Sequence, residues 1–145
     1  MRIPAFDATG HLPTGIHDGT VEEIATRFSH FPERRSLWET LLRYVAELRR
    51  WPLAQELLLD GSFVTSEPAP HDIDLILVLR DDYDLSQEVS PFEYNLRSHS
   101  MVRRTYGLDA FVVRPRSPEY YRFIDLFSQV RDRLDATKGL VRVRL

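Results

Sequence analysis

Two aspartates, Asp72 and Asp74, flank a single isoleucine at the start of an almost continuous apolar run. That run, residues 73–79, predicts a strand covered on both faces, and alternate side chains of a strand project from the same side. The two carboxylates should therefore lie about 7 Å apart and repel each other by about 2 kcal/mol at an effective dielectric constant of about 20. A divalent cation between them would reverse the sign of this interaction, and oxygen ligands suit magnesium or manganese. The spacing therefore predicts a metal site.

Gly61-Ser62 and Asp109 form the second and third parts of the predicted site. A glycine lets the backbone approach an anion closely, and a serine hydroxyl and amide can bind a phosphate oxygen. Asp109 stands at the head of a second predicted strand, residues 108–113, and joins the other carboxylates if the two strands are neighbours. Three carboxylates and a phosphate-binding turn are what two-metal phosphoryl-type transfer requires. The structural alternatives are solvated acids at strand entries and a serine that only completes a turn.

Together, Gly61-Ser62, Asp72-x-Asp74 and Asp109 resemble the motif set of the nucleotidyltransferase superfamily, the DNA polymerase beta-like and minimal nucleotidyltransferase fold. The resemblance implies that Ser62 holds the β- and γ-phosphates of a nucleoside triphosphate. It also implies that Asp72 and Asp74 bind two magnesium ions, and that Asp109 shares the metal that activates the attacking hydroxyl.

The resemblance covers residues 55–113, and two short segments extend it. Leu-Pro-Thr-Gly-Ile-His at 12–17 and Gly-Ser-Phe-Val-Thr at 61–65 resemble a small, poorly characterised bacterial branch of the superfamily. The segment that follows the Gly-Ser pair contains no cation. A positive charge for the triphosphate would therefore come from one of three arginines elsewhere in the chain, namely Arg103, Arg104 or Arg114.

The expected function is a magnesium-dependent transfer of a nucleoside monophosphate from a nucleoside triphosphate to an acceptor hydroxyl on protein, RNA or a small molecule. A chain of 145 residues leaves no large domain for the acceptor, so a partner protein or a second copy is expected to complete the site. The alternative is a non-catalytic protein of the same fold that binds a nucleotide or a partner, such as a toxin–antitoxin component.

The elements that must position these residues follow from hydrophobic periodicity and turn signals. The predicted order is α-α-β-β-α-β-α-β, which indicates an α/β protein of the α+β type, with a mixed sheet of about four strands packed against helices. Residues 1–19 lack a period and are predicted as an N-terminal arm, and residues 20–145 as a single domain. The predicted helices cover 20–30, 32–51, 91–104 and 117–134, and the predicted strands cover 55–59, 73–79, 108–113 and 140–145.

Composition narrows the function classes further. The net charge of −3, from 19 basic and 22 acidic residues, argues against a dedicated nucleic-acid-binding protein. Lys138 is the single lysine, and the arginine pairs at 34–35, 49–50 and 103–104 are expected on solvated helix faces. The absence of cysteine excludes disulfides, thiolate nucleophiles and cysteine zinc sites. No apolar segment is long enough to span a membrane and no secretory leader is recognisable, so a cytoplasmic location without membrane contact is expected.

Overall fold

The structure, a computed structural model, describes residues 3–130 and 133–145. Its helices are α1 (Val21–Phe28), α2 (Pro32–Arg50), α3 (Pro91–Arg97), α4 (His99–Tyr106) and α5 (Pro118–Phe127), with a short 3-10 turn at Ser62–Val64. Its strands are β1 (Gly15–Asp18), β2 (Ala54–Asp60), β3 (Asp74–Leu79), β4 (Asp109–Val113), β5 (Gln129–Val130), β6 (Arg133–Thr137) and β7 (Gly139–Arg144).

Five of these strands form one mixed sheet in the order β1-β7-β2-β3-β4. The β1–β7 and β3–β4 pairs are parallel, whereas β2 is antiparallel to both β7 and β3. The α+β class with a mixed sheet is thus confirmed, and all four predicted strands are present. The count of about four was too low because β1 adds a fifth strand and β5–β6 form a separate two-stranded sheet.

The extra strand of the main sheet comes from the segment predicted as an N-terminal arm. Gly15–Asp18 pairs in parallel with Gly139–Arg142, and Ile3 and Leu12 are buried in the main core. A segment of four residues is too short to show a strand period in the sequence. This strand can therefore be recognised only from its pairing with β7. Residues 1 and 2 of the predicted arm lie outside the described residues.

The predicted helix 117–134 is wrong in its second half. Helix α5 ends at Phe127, and β5 and β6 follow as an antiparallel pair. Val130 and Leu134 continue the helical period of α5, but with Ala136 they also fit the period of two that a strand requires. Residues 131 and 132 of the predicted helix lie outside the described residues.

The predicted helix 91–104 is two helices, α3 and α4, that meet at Ser98. The backbone of Ser98 is extended (φ −87°, ψ 121°), which breaks the helix, and its hydroxyl accepts a hydrogen bond from the Met101 amide to start α4. The first two helices form where the sequence indicates. Thr20 and Glu23 make the predicted capping box of α1, and Pro32 occupies the first turn of α2.

Each face of the sheet has its own layer of helices. Alternate residues such as Leu57, Leu59 and Leu75 belong to the main core with α1, α2, α3 and α4. The residues between them, including Leu58 and Ile76, meet the aromatic side of α5 on the other face. Within the described residues, no helix combines the length and apolar character needed to cross a membrane.

Candidate metal centre

Three neighbouring strands each bring an aspartate to the same row at one end of the sheet. Asp60 at the end of β2 lies opposite Asp74 at the start of β3, and Asp74 lies beside Asp109 at the start of β4. By strand alternation, Asp74 shares the sheet face of Ile76 and Val78, which is the face that α5 covers. Asp72, two residues before Asp74, lies in the segment that leads into β3. The pairing register therefore places Asp60, Asp74 and Asp109 side by side across three strands.

The structure brings together all three carboxylates predicted to bind metal. One oxygen from each of Asp72, Asp74 and Asp109 lies within 4.8 Å of the others, and all three residues are half-buried. Two oxygens on opposite sides of a magnesium ion are about 4.2 Å apart, because each Mg–O distance is about 2.1 Å. Small side-chain rotations would thus close the three oxygens around a cation. The donor set of hard, anionic oxygens fits magnesium or manganese.

Gly61 provides the space beside Asp74. Its backbone (φ +85°, ψ −173°) lies in a region that only glycine adopts without strain. A Cβ atom on Gly61 would lie 2.9 Å from Oδ2 of Asp74, which is closer than carbon and oxygen tolerate. Glycine is therefore required here both for the backbone conformation and for the approach of the Asp74 carboxylate.

Ser62 follows directly as the first residue of the 3-10 turn and is half-buried. Its carbonyl accepts hydrogen bonds from the amide (3.2 Å) and the hydroxyl (2.7 Å) of Thr65, which fold the loop back on itself. The turn thus begins directly after the glycine that adjoins the Asp74 carboxylate. Phosphate binding by Ser62 stays a prediction.

The negative charges of the cluster act most strongly on Asp74. Burial, reinforced by the charges of Asp72, Asp60 and Asp109, raises the pKa of Asp74 to about 6. Ionisation of Asp74 is costly because three other carboxylates lie near it. A bound cation would therefore stabilise the ionised form of Asp74 more than that of an isolated carboxylate. The electrostatics of the cluster therefore favour occupancy by a divalent metal ion.

Asp74 should make stability depend on pH in a defined direction. Its folded-state pKa of about 6 lies above the usual value of 3.8, so the folded state binds the additional proton. The free energy of unfolding contributed by Asp74 is therefore present at low pH and is lost as the pH rises through about 6. Urea unfolding at about pH 5 and about pH 7.5 should show this loss in the wild type but not in Asp74→Asn. Equal pH dependence in the two proteins would contradict the assignment.

Asp109 has two cationic or potentially cationic neighbours on α4. Arg103 Nη1 lies 3.3 Å from Oδ2 of Asp109, and His99 Nε2 lies 3.7 Å from Oδ1. Arg103, proposed from the sequence as a triphosphate contact, therefore adjoins the cluster. Its side chain is also half-exposed, so it is accessible from solvent. Of the other two candidates, Arg104 is an exposed residue of α4, and Arg114 donates to the carbonyl of Tyr83. Among the three arginines, the geometry favours Arg103.

Asp60 and Lys138 are the members of this region that sequence reasoning missed. Lys138 Nζ lies 3.3 Å from Oδ1 of Asp60, and both side chains are largely buried, with exposed fractions of 15% and 4%. Burial raises the pKa of Asp60, and the Lys138 ammonium opposes that rise. Two sequence features could have identified the pair: Asp60 directly precedes Gly61, and Lys138 is the single lysine of the chain.

Lys138→Met should destabilise the fold by roughly 3 kcal/mol, because removal of one partner leaves the other as an uncompensated buried charge. The double variant Asp60→Asn/Lys138→Met should recover much of this loss, since neither charge is then buried alone. Urea unfolding of wild type, both single variants and the double variant measures the coupling. Strictly additive effects of the two substitutions would show that the pair does not interact.

The fold and the site define an α+β protein with a three-aspartate candidate metal centre at one end of a mixed sheet. The chain belongs to the Family of unknown function (DUF6932), whose profile matches residues 4–144. Comparisons with curated proteins and with solved structures find no match to the chain.

Proposed function

We propose that the protein is a magnesium-dependent nucleotidyltransferase of the DNA polymerase beta-like fold. It would transfer a nucleoside monophosphate from a nucleoside triphosphate to an acceptor hydroxyl. The observation that carries the proposal is the convergence of carboxylate oxygens of Asp72, Asp74 and Asp109 within 4.8 Å, with Oδ2 of Asp74 beside the open side of Gly61. Two residues already predicted from the sequence as a phosphate-binding pair, Gly61 and Ser62, lie at this same end of the sheet.

In this proposal Asp72 and Asp74 would hold two magnesium ions, and Asp109 would share the one that activates the attacking hydroxyl. Magnesium held by these residues would supply charge neutralisation on the phosphates. The acceptor oxygen attacks the α-phosphorus, a new P–O bond forms, and the bond to the leaving pyrophosphate breaks. The proton of the hydroxyl passes to Asp109. Because the protein contributes little covalent chemistry, the rate arises from positioning and from charge neutralisation by the carboxylate-bound cation and the nearby Arg103.

The test uses ATP labelled at either the α- or the γ-phosphate, with purified protein and magnesium. The proposal expects label from the α-phosphate on an acceptor (the chain itself, added RNA or added protein) and release of pyrophosphate that carries the γ-label. Water as a slow substitute acceptor should yield AMP and pyrophosphate. Formation of ADP and inorganic phosphate, or transfer of the γ-label, would contradict this reaction class.

The second candidate function is a non-catalytic nucleotide- or partner-binding protein, such as a toxin–antitoxin component. The Arg103–Asp109 ion pair favours it, because the arginine neutralises this carboxylate without a metal. This candidate expects calorimetric binding of ATP and no AMP formation with any acceptor. Arg103→Ala distinguishes the two candidates: the enzyme should lose AMP formation, whereas the binding protein should form no AMP either before or after the substitution.

A further inference from the structure

Arg34 is a buried cation, and most of its hydrogen bonds go to the loop that follows Gly61. It lies in the first turn of α2, is 4% exposed, and its guanidinium carbon lies 5.6 Å from the centroid of the Phe63 ring. The sequence had indicated a solvated arginine pair at 34–35, and for Arg34 this expectation is wrong. Its neighbour Arg35 is exposed as expected.

The hydrogen bonds of Arg34 go to backbone carbonyls rather than to a carboxylate. Nη1 donates to the carbonyls of Phe63 (2.6 Å) and Phe28 (3.2 Å), and Nη2 donates to that of Thr65 (2.6 Å). Further bonds reach the carbonyls of Ser62 (3.4 Å, from Nη2) and Glu67 (3.0 Å, from Nε). Four carbonyls of the segment 62–67 therefore converge on one planar, permanently charged group.

This convergence has a consequence for an anion bound at the loop. Carbonyl oxygens carry partial negative charge, and an anion-binding turn must keep them turned away from the anion. The carbonyl of one residue and the amide N–H of the next point in opposite directions across a trans peptide. A cation that gathers the carbonyls on one side of the loop thus holds their negative ends away from the other side.

We infer that Arg34 is the positioning residue of the Ser62 loop, which fixes this loop for triphosphate binding without contacting either the nucleotide or the metal. The inference rests on the proposed function and adds to it the residue that sets the geometry of the phosphate-binding turn. It separates two parts of the site. The metal depends on Asp72, Asp74 and Asp109, whereas the triphosphate also depends on the loop that Arg34 holds.

The test compares Arg34→Lys with Arg35→Lys, a matched control one residue away on the exposed side of α2. Lysine keeps the charge but cannot place donors on four carbonyls at once. In Arg34→Lys, amide hydrogen exchange in residues 62–67 should accelerate. The affinity for ATP with Mn²⁺, measured by calorimetry, should fall about tenfold or more, which is the size of effect typical of lost positioning contacts around a metal site. The affinity for Mn²⁺ alone should stay within about twofold of wild type, because the three aspartates are untouched. Arg35→Lys should behave as wild type in all three measurements.

An unchanged ATP affinity in a folded Arg34→Lys protein would overturn the inference, as would equal losses of Mn²⁺ and ATP affinity. Arg34→Gln serves as a second variant if Arg34→Lys does not fold, and failure of both to fold would also overturn it, since Arg34 would then support the whole domain. Wild-type protein that does not bind ATP contradicts the proposed function and removes the inference with it. If the wild type binds ATP and Arg34→Lys binds it equally well, only the role of Arg34 is contradicted and the proposed function is not.

Discussion

Asp74→Asn should reduce the rate of AMP and pyrophosphate formation from ATP on the order of 1,000-fold. Charge stabilisation by a bound metal supplies several kcal/mol, and each 1.4 kcal/mol corresponds to about a tenfold change in rate. Asp74 is the central carboxylate of the cluster, between Asp60 on β2 and Asp109 on β4. Asparagine keeps the shape of the side chain but removes the charge that attracts the cation. The measurement is initial rate at saturating magnesium.

The matched control is Asp82→Asn, an exposed aspartate just beyond the opposite end of β3. Its side chain is 79% exposed and forms a surface ion pair with Arg80, so the substitution should leave both rate and stability unchanged. Asp74→Asn should not unfold the protein, because the lost carboxylate was repelled by its neighbours. Turnover in Asp74→Asn above about a tenth of the wild-type rate would contradict a metal-binding role, because a lost ligand costs more than the 1.4 kcal/mol that tenfold represents.

Gly61→Ala should destabilise the fold by about 1–3 kcal/mol and also weaken metal binding. The backbone cost arises because φ +85° with ψ −173° is a glycine conformation. The loss of metal binding arises because the new Cβ would press on Oδ2 of Asp74 from 2.9 Å and displace that carboxylate. Urea unfolding and Mn²⁺ titration of the same variant measure the two effects.

Gly107→Ala separates the two causes. Gly107 also has a positive φ, +71°, at the end of α4, but a Cβ there would meet nothing within 4 Å. This control should therefore lose stability, by about 1–2 kcal/mol, and retain metal affinity. If Gly107→Ala and Gly61→Ala lowered metal affinity equally, the loss would be due to backbone strain and not to contact with Asp74.

The sequence predicts those parts of the molecule whose signals are local. The capping box at Thr20, the proline at the start of α2 and the apolar runs of β2, β3 and β4 each identify an element within a few neighbouring residues. The convergence of Asp109 on Asp72 and Asp74 followed from one further assumption, that the two strands are neighbours. The observed parallel pairing of β3 with β4 meets that assumption.

Features that depend on distant parts of the chain could not be predicted in this way. Asp60 joins the row only through the β2–β3 register, and Lys138 reaches it from the turn between β6 and β7. Arg34 was assigned to a solvated face because adjacent arginines usually are solvated, but the loop carbonyls that bury it lie about thirty residues away. The β5–β6 pair was not predicted for a different reason: the spacing of its apolar residues suits both a helix and a strand.

Titration of the wild type and of Asp74→Asn with Mn²⁺, followed by electron paramagnetic resonance of the free ion, tests the central claim most directly. Mn²⁺ has the ligand preference of magnesium, and the assay needs neither a nucleotide nor an acceptor. We expect saturable Mn²⁺ binding to the wild type, a loss of at least about tenfold in affinity in Asp74→Asn, and wild-type affinity in Asp82→Asn. Absence of saturable binding to the wild type, or equal affinity in all three proteins, would contradict a metal centre at Asp72, Asp74 and Asp109.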